Sequence, residues 1–97
     1  MNSKSERTFE LGNVYITSGV AEEIENDKNY LNKVLQSLAR YISCDWGNLT
    51  NEDKRLNNEA IKNGERLLAR YNIEPRAIYI ITEWDRSATT ILFPEEY

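Results

Sequence analysis

Histidine is absent from this chain of 97 residues, and cysteine occurs once, as Cys44. A chain without histidine lacks the commonest general base and metal ligand, and it cannot form Ser-His or Cys-His nucleophilic pairs. One cysteine cannot form an intramolecular disulfide or build a structural zinc site, and the neighbouring Asp45 disfavours a reactive thiolate. We therefore expect a protein that is not an enzyme and that carries no metal ion or cofactor.

Long apolar runs are also missing from the sequence. No segment approaches the roughly 20 apolar residues that span a bilayer, and no basic start leads into an apolar signal region. Together with the single cysteine, this composition favours a reducing, cytoplasmic environment. The length predicts one domain, residues 1–97, in which the polar residues 1–8 are frayed.

Acidic residues outnumber basic ones, and the formal net charge is -4. Such a chain lacks the general attraction to phosphate backbones that a basic domain has, so direct nucleic-acid binding is not expected. The excess negative charge lies in residues 1–26 and 77–97, whereas residues 27–76 are nearly balanced. If the two end segments are neighbours in one sheet, their charges combine into one negative field that favours a basic protein partner.

Hydrophobic spacing and turn residues predict six elements. Their order is strand, short helix, helix, helix, strand and strand, at residues 13–17, 18–24, 30–42, 50–72, 78–81 and 89–93. The spacing within the second helix predicts a core stripe of Leu31, Val34, Leu35, Leu38 and Ile42. Gly64 falls on the apolar stripe of the third helix, which predicts close backbone packing at that point.

This order predicts the α+β class. We expect a small antiparallel sheet, formed by the N-terminal strand and a C-terminal hairpin, that packs on one face against two long helices and one short helix. This arrangement is the simplest one, because the predicted strands lie only at the two ends of the chain.

The C-terminal hairpin, residues 77–97, combines apolar strand segments with an acidic rim. Its charged and aromatic candidates for partner binding are Glu83, Trp84, Asp85, Glu95 and Glu96. Two of them, Glu83 and Asp85, point the same way from a strand, which is geometrically compatible with an acid/base pair or a divalent cation. Carboxylates at hairpin ends are usually solvated, however, and no loop shows calcium-ligand spacing. We therefore expect contacts with a protein partner at these residues.

Cations recur along the third predicted helix, at Lys54, Arg55, Lys62, Arg66 and Arg70. Acidic residues are interspersed with them, which is typical of a solvated helix face. A nucleic-acid contact surface on this helix stays the less favoured interpretation.

Four segments of the chain resemble a small family found on plasmids, conjugative elements and prophages of Gram-positive bacteria and labelled as plasmid-related. They are FELGNVYITSGV, SLARYISCDWGNLTNEDK, LNNEAIKNGERLLARY and IYIITEWDRSATTILFPEEY, of which the DWG turn and the TEWDRSATTILFPEEY ending are the most specific. The resemblance implies a mobile genetic element, whose small acidic proteins are similar in kind to anti-CRISPR and anti-restriction inhibitors. It further implies inhibition of the RNA-guided nuclease of type II CRISPR systems.

The resulting hypothesis is a non-enzymatic inhibitor that occupies the basic nucleic-acid channel of such a nuclease. Two alternatives stay open. The first is a plasmid or mobile-element accessory protein that binds nucleic acid through the third helix. The second is a protein with the fold of RelE-type ribonuclease toxins but without their activity, since those toxins run strand, two helices and several strands but need basic residues to hold RNA.

Overall fold

The computed structural model describes residues 8–97, so the predicted frayed segment lies outside the described residues except for Thr8. The elements are β1 (Asn13–Ile16), α1 (Ser18–Asn26), α2 (Lys28–Ile42), α3 (Asn51–Asn63), β2 (Leu67–Tyr71), β3 (Ile78–Thr82), β4 (Ala88–Leu92) and a final 3-10 turn (Pro94–Glu96). Within this part of the chain, no helix has the length and apolar character that a membrane crossing requires.

The four strands form one sheet in the order β1-β4-β3-β2. Strands β2, β3 and β4 are antiparallel neighbours, whereas β1 runs parallel to β4. The α+β class is confirmed, but the sheet is mixed and has one strand more than expected. The parallel pair is sterically accessible because three helices and two strands lie between β1 and β4, which is ample chain for a crossover connection.

The additional strand comes from the C-terminal part of the predicted third helix. That helix ends at Asn63, and Gly64 follows it in the left-handed conformation, with a φ angle of 68°. A Cβ at Gly64 would meet no atom within 4 Å, so the prediction of close packing there is wrong. Glycine serves here as the helix C-cap, because a left-handed residue without a Cβ avoids steric strain. Beyond it, buried and half-buried residues alternate along β2.

The buried stripe of α2 also differs from the expected one. Tyr30, Val34, Ser37 and Tyr41 are the buried residues of this helix. Leu31 and Leu35, two members of the predicted stripe, are instead exposed. This orientation of α2 buries tyrosine rings whose hydroxyl groups find hydrogen-bond partners. The hydroxyl group of Tyr30, for example, donates to the carbonyl oxygen of Arg76 at 2.8 Å, and burial raises its pKa to about 12.

The main core lies between the helices and one face of the sheet. Strand residues on this face join helix residues in one buried cluster whose central members are Val20, Tyr30, Val34, Tyr41, Ala60, Leu67, Ala69, Tyr71, Ile78, Ile80, Ile91 and Phe93. On the opposite face, Ile81 and Leu92 are nevertheless buried. The ring of Tyr97 folds back over this face, against Tyr79, with ring centroids 5.7 Å apart, and beneath the Arg66 guanidinium. The sheet is therefore covered by helices on one face and by a thin aromatic layer on the other.

The two edges of the sheet differ in their coverage. On the outer edge of β2, the side-chain amide of Asn57 donates to the carbonyl oxygen of Leu68 at 2.8 Å and accepts from its N–H at 3.3 Å. The N–H of Asn48 donates to the carbonyl oxygen of Arg70 at 2.7 Å. These contacts satisfy backbone groups that would otherwise face solvent. Strand β1, at the other edge, has β4 as its only strand neighbour in the part of the chain that the structure describes.

A chain of buried hydroxyl groups crosses the core beneath the β3–β4 hairpin. The hydroxyl of Thr89 donates to the carbonyl oxygen of Leu11 at 2.7 Å. Thr82 lies 2.8 Å from Thr89, and Tyr41 lies 2.7 Å from Thr82. Because the final carbonyl can only accept, the proton order runs from Tyr41 to Thr82 to Thr89. Burial raises the pKa of Tyr41, which keeps this hydroxyl protonated as the first donor.

Replacing Thr82 with valine tests this chain. The substitution preserves side-chain shape but leaves the Tyr41 hydroxyl without its acceptor, so we expect the free energy of unfolding to fall by about 1 to 3 kcal/mol. Urea denaturation measures this change. The control is Thr90→Val on the opposite face, where a change within about 0.5 kcal/mol is expected. Equal effects at the two positions would show that the hydroxyl chain contributes no particular stability.

Candidate functional site: the hairpin tip

Residues 83–87 connect β3 to β4, and we refer to them as the hairpin tip. Its backbone is closed by the N–H of Arg86, which donates to the carbonyl oxygen of Glu83 at 2.9 Å. The N–H of Glu83 donates to the carbonyl oxygen of Ala88 at 3.0 Å. Arg86 has a φ angle of 59°, an uncommon conformation for a residue with a side chain, so its surroundings must stabilise it.

The Arg86 side chain supplies that stabilisation. Its guanidinium donates to the carbonyl oxygens of Glu83 at 3.1 Å and Trp84 at 3.3 Å within the tip. It also donates to the carbonyl oxygens of Glu65 at 2.6 Å and Ala60 at 3.2 Å, where α3 ends. A guanidinium suits this position because its fixed fork of N–H groups can bind several carbonyls at once, and its charge complements the helix C-terminus. The tip is thereby attached to α3.

Asp85 orders the second half of the tip. Its carboxylate accepts a hydrogen bond from the N–H of Ser87 at 3.1 Å. Hydrogen bonds from the Ser87 side chain and backbone hold the pKa of Asp85 below its ordinary value. The carboxylate thus remains ionised and keeps a fixed orientation at the surface.

Trp84 lies between Glu83 and Asp85 with its side chain outward. It is 66% exposed, the largest exposed fraction among the large hydrophobic side chains that the structure describes. A tryptophan normally buries much of its ring, and an exposed one held on an ordered turn is typical of a binding anchor.

The surroundings of Trp84 are acidic. The carboxylates of Glu83 and Asp85 flank it in sequence. Arg66 lies 3.9 Å from Glu83, but its guanidinium also donates to the hydroxyl of Tyr97 at 2.7 Å. The Arg86 guanidinium is directed to backbone carbonyls, which leaves the half-buried Glu83 and the exposed Asp85 as the carboxylates beside Trp84.

The start of β1 lies against the tip. Gly12 has a φ angle of 66°, and a Cβ on this residue would collide with the backbone of Arg86 and Ser87. The N–H of Asn13 donates to the carbonyl oxygen of Ser87 at 3.0 Å. The two end segments of the chain are therefore sheet neighbours, as the charge argument required.

Glu95 and Glu96, the other predicted contact residues, lie at the opposite end of β4. The Glu96 carboxylate accepts from the N–H of Phe93 and from the hydroxyl of Thr17, both at 2.8 Å. Glu95 forms an ion pair with Arg76, whose guanidinium lies over the Phe93 ring. These carboxylates attach the C-terminal turn to the rest of the fold.

The five predicted residues consequently do not form one surface. Glu83, Trp84 and Asp85 are together at the tip, and the five residues of β4 separate them from Glu95 and Glu96. At about 3.4 Å per residue, this strand alone spans roughly 14 Å. The expected single negative field is thus divided into two acidic regions. Arg86, which anchors the tip, was missed because its importance depends on carbonyl groups that are more than 20 residues away in sequence.

The basic third helix predicted from sequence is also divided. Lys54, Arg55 and Lys62 belong to α3, but Arg66 lies beyond its end and Arg70 belongs to β2. Arg55 is paired with both Glu52 and Glu59 on the helix surface. The five cations therefore do not form a continuous ridge.

The DWG turn packs into the core of the protein. Trp46 is buried and its indole N–H donates to the side-chain oxygen of Asn58 at 2.9 Å. Gly47 has a φ angle of 72° and lies so close to Arg70 and Tyr71 that a Cβ would collide with them. This motif is accordingly a packing element, and Trp84 is the exposed tryptophan.

Two further features bear on chemistry. Among residues 8–97 no three His, Cys, Asp or Glu side chains come together in a group that could hold a metal ion. A mainly apolar pocket of about 280 Å³ lies between α3 and β2, lined by Leu49, Asp53, Leu56, Asn57 and Leu68.

Comparisons with protein-family models, curated proteins and solved structures find no match to the chain.

The lowered pKa of Asp85 predicts a specific pH response. Ionised Asp85 stabilises the folded tip above its ordinary pKa, and this contribution is lost as the pH falls through the lowered value in the folded protein. We expect the amide resonance of Ser87 to titrate with a midpoint below about 3.9, the value of an unperturbed aspartate. NMR titration measures it, with Asp85→Asn as the control that removes the transition. A midpoint at or above the ordinary value would contradict the hydrogen-bonded tip.

Proposed function

We propose that the protein is a non-enzymatic inhibitor that binds a cationic surface of a host defence nuclease through its hairpin tip. The proposed target is the RNA-guided nuclease of a type II CRISPR system, and the proposed action is occlusion of its nucleic-acid channel. The single observation that carries the proposal is the exposed Trp84 on an ordered, acidic turn.

The physical basis is complementarity with a channel that binds polyanions. Such nucleases hold the guide–target heteroduplex in a positively charged channel and read a short motif in the DNA duplex. The carboxylates of Glu83 and Asp85 would meet the cations that normally contact phosphates, while the indole of Trp84 buries apolar area. Charge complementarity accelerates association, and a buried aromatic anchor slows dissociation.

The order of the tip favours tight binding. Because Arg86 and Asp85 hold the turn through hydrogen bonds, little conformational entropy remains to be lost when Trp84 is immobilised. Glu95 and Glu96 are less suited to this purpose, since their contacts with Arg76 and Thr17 attach the C-terminal turn to distant parts of the fold, whereas Asp85 is bound within the tip. The proposal therefore assigns the tip, and not the C-terminal pair, to the partner.

The resemblance to plasmid-related proteins of mobile elements supports the biological setting of the proposal. A mobile element benefits from a protein that blocks a host nuclease without chemistry of its own. The nucleic-acid-binding alternative is weaker, because Lys54, Arg55 and Lys62 are the cations that remain on α3 and Arg55 is already paired. A gel shift with duplex and single-stranded DNA separates the two, because the inhibitor should produce no shift of free DNA.

Charge reversal at the tip tests the proposed contact. We expect Glu83→Lys combined with Asp85→Lys to abolish binding to the purified type II nuclease, and Trp84→Ala alone to raise Kd about 30-fold or more. Biolayer interferometry with the nuclease, with and without guide RNA and target DNA, measures both. Wild-type binding should weaken as salt is raised, because salt screens exposed charges.

The matched control is Glu74→Lys combined with Glu95→Lys, which changes the net charge equally at the other end of the sheet. This variant should retain binding. If both double variants lose binding equally, net charge and not the tip is responsible, and the assigned surface is wrong. If the wild-type protein fails to bind the nuclease in any nucleic-acid state, the proposed target is excluded.

A further inference from the structure

Among residues 8–97, one edge of strand β1 pairs with no other strand. The N–H groups of Asn13 and Thr17 donate to the carbonyl oxygens of Ser87 and Ile91 in the neighbouring chain segment. Because successive residues of a strand direct their backbone groups to opposite sides, those of Val14 and Ile16 face away from β4. No strand lies beyond them among residues 8–97.

The side chains of this edge are apolar and exposed. Val14, Tyr15 and Ile16 are 45%, 53% and 44% exposed, and β1 carries no charged residue. Folded proteins usually protect such an edge with lysine, proline, a bulge or a covering segment. Asn57 and Asn48 protect the other edge of the sheet, whereas nothing comparable covers β1 within residues 8–97.

The charge beside β1 indicates what kind of strand can pair with it. From Thr8 to Asp27 the sequence contains no lysine or arginine, and its five carboxylates are Glu10, Glu22, Glu23, Glu25 and Asp27. None of these carboxylates belongs to an ion pair within the described residues, 8–97. Within the described part of the chain, the sequence neighbours of β1 therefore carry negative and no positive charge, which favours a cationic strand at this edge.

We propose that β1 accepts an extended, lysine- or arginine-rich segment of a partner protein as a fifth strand of the sheet. The backbone of the segment would pair with Val14 and Ile16, its apolar side chains would cover the exposed residues of β1, and its cations would meet the nearby carboxylates. This mode of recognition uses main-chain hydrogen bonds for affinity and side chains for specificity. A second copy of the chain is disfavoured as the occupant, since two such acidic edges repel each other.

This surface is separate from the hairpin tip. The tip binds through the side chains of Glu83, Trp84 and Asp85, whereas β1 binds through backbone groups of Val14 and Ile16. The inference therefore goes beyond the proposed function and can be tested without any nuclease.

The probe is a capped octapeptide of alternating valine and lysine, added to the isotope-labelled protein. We expect saturable NMR shifts centred on the amides of Val14 and Ile16, together with slower hydrogen exchange at these two amides. The same peptide with glutamate in place of lysine should not bind. N-methylation of the peptide residues that pair with β1 should weaken binding about tenfold or more, whereas N-methylation of the alternate residues should not.

Protein variants provide the complementary test. Val14→Pro removes an N–H that faces away from β4 and should raise Kd for the peptide about tenfold, whereas Val14→Thr should leave it within about twofold. Combined Glu10→Gln, Glu22→Gln and Glu25→Gln should weaken binding several-fold, and Glu74→Gln with Glu95→Gln should not. The tip variant Trp84→Ala, which leaves the charge unchanged, should bind the peptide as the wild type does.

Three results would overturn the proposal. The first is equal binding of the two N-methylated peptides, which would exclude strand pairing. The second is a set of NMR shifts centred elsewhere, for example on α2. The third is a wild-type dimer in sedimentation that becomes monomeric in Val14→Pro, which would make a second copy the occupant of this edge.

Discussion

The hydrogen-bonded line from Tyr41 through Thr82 and Thr89 to the carbonyl of Leu11 is the constraint on which the rest of the structure depends. It joins α2, both strands of the central hairpin and the segment that enters β1. Each buried hydroxyl in the line has its acceptor, so none bears the cost of an unsatisfied polar group. Because Thr82 and Thr89 are the paired residues nearest the tip, this line also fixes the base from which residues 83–87 project.

The same types of side chain serve different purposes at the two ends of the sheet. At the C-terminal end, the Glu96 carboxylate accepts two hydrogen bonds from neighbouring segments and so stabilises the fold. At the tip, Asp85 orders the turn while remaining at the surface. Glu96 is bound to a segment far away in the chain, whereas Asp85 is bound within the tip itself. Local hydrogen bonding, and not the number of acidic residues, therefore distinguishes the surface proposed for binding.

The edges of the sheet show a similar asymmetry. Asn57 is useful on β2 because its side-chain amide has the same donor and acceptor groups as a peptide unit, and it can replace a neighbouring strand. A residue of this kind is absent from the free edge of β1 among residues 8–97. The tip and the free edge lie side by side, since Gly12 packs against Ser87 at the start of β1. The two proposed surfaces are thus close to each other, and both are proposed to bind a cationic partner.

Much of the local structure follows from the sequence, because it depends on interactions between near neighbours. Thr50 caps α3 by accepting from the N–H of Asp53, and Gly47 takes the left-handed conformation expected of the DWG turn. The α+β class, the exposed Trp84 and the buried line of isoleucines in β3 are similarly readable from spacing and turn residues.

Other features required the tertiary structure. The apolar spacing of residues Leu67–Tyr71 fits either a helix or a strand, and pairing with β3 makes this segment a strand. Contacts between residues far apart in the chain likewise separate Glu83 from Glu95, attach Arg86 to the end of α3 and place β1 at the edge of the sheet. No local pattern encodes such contacts.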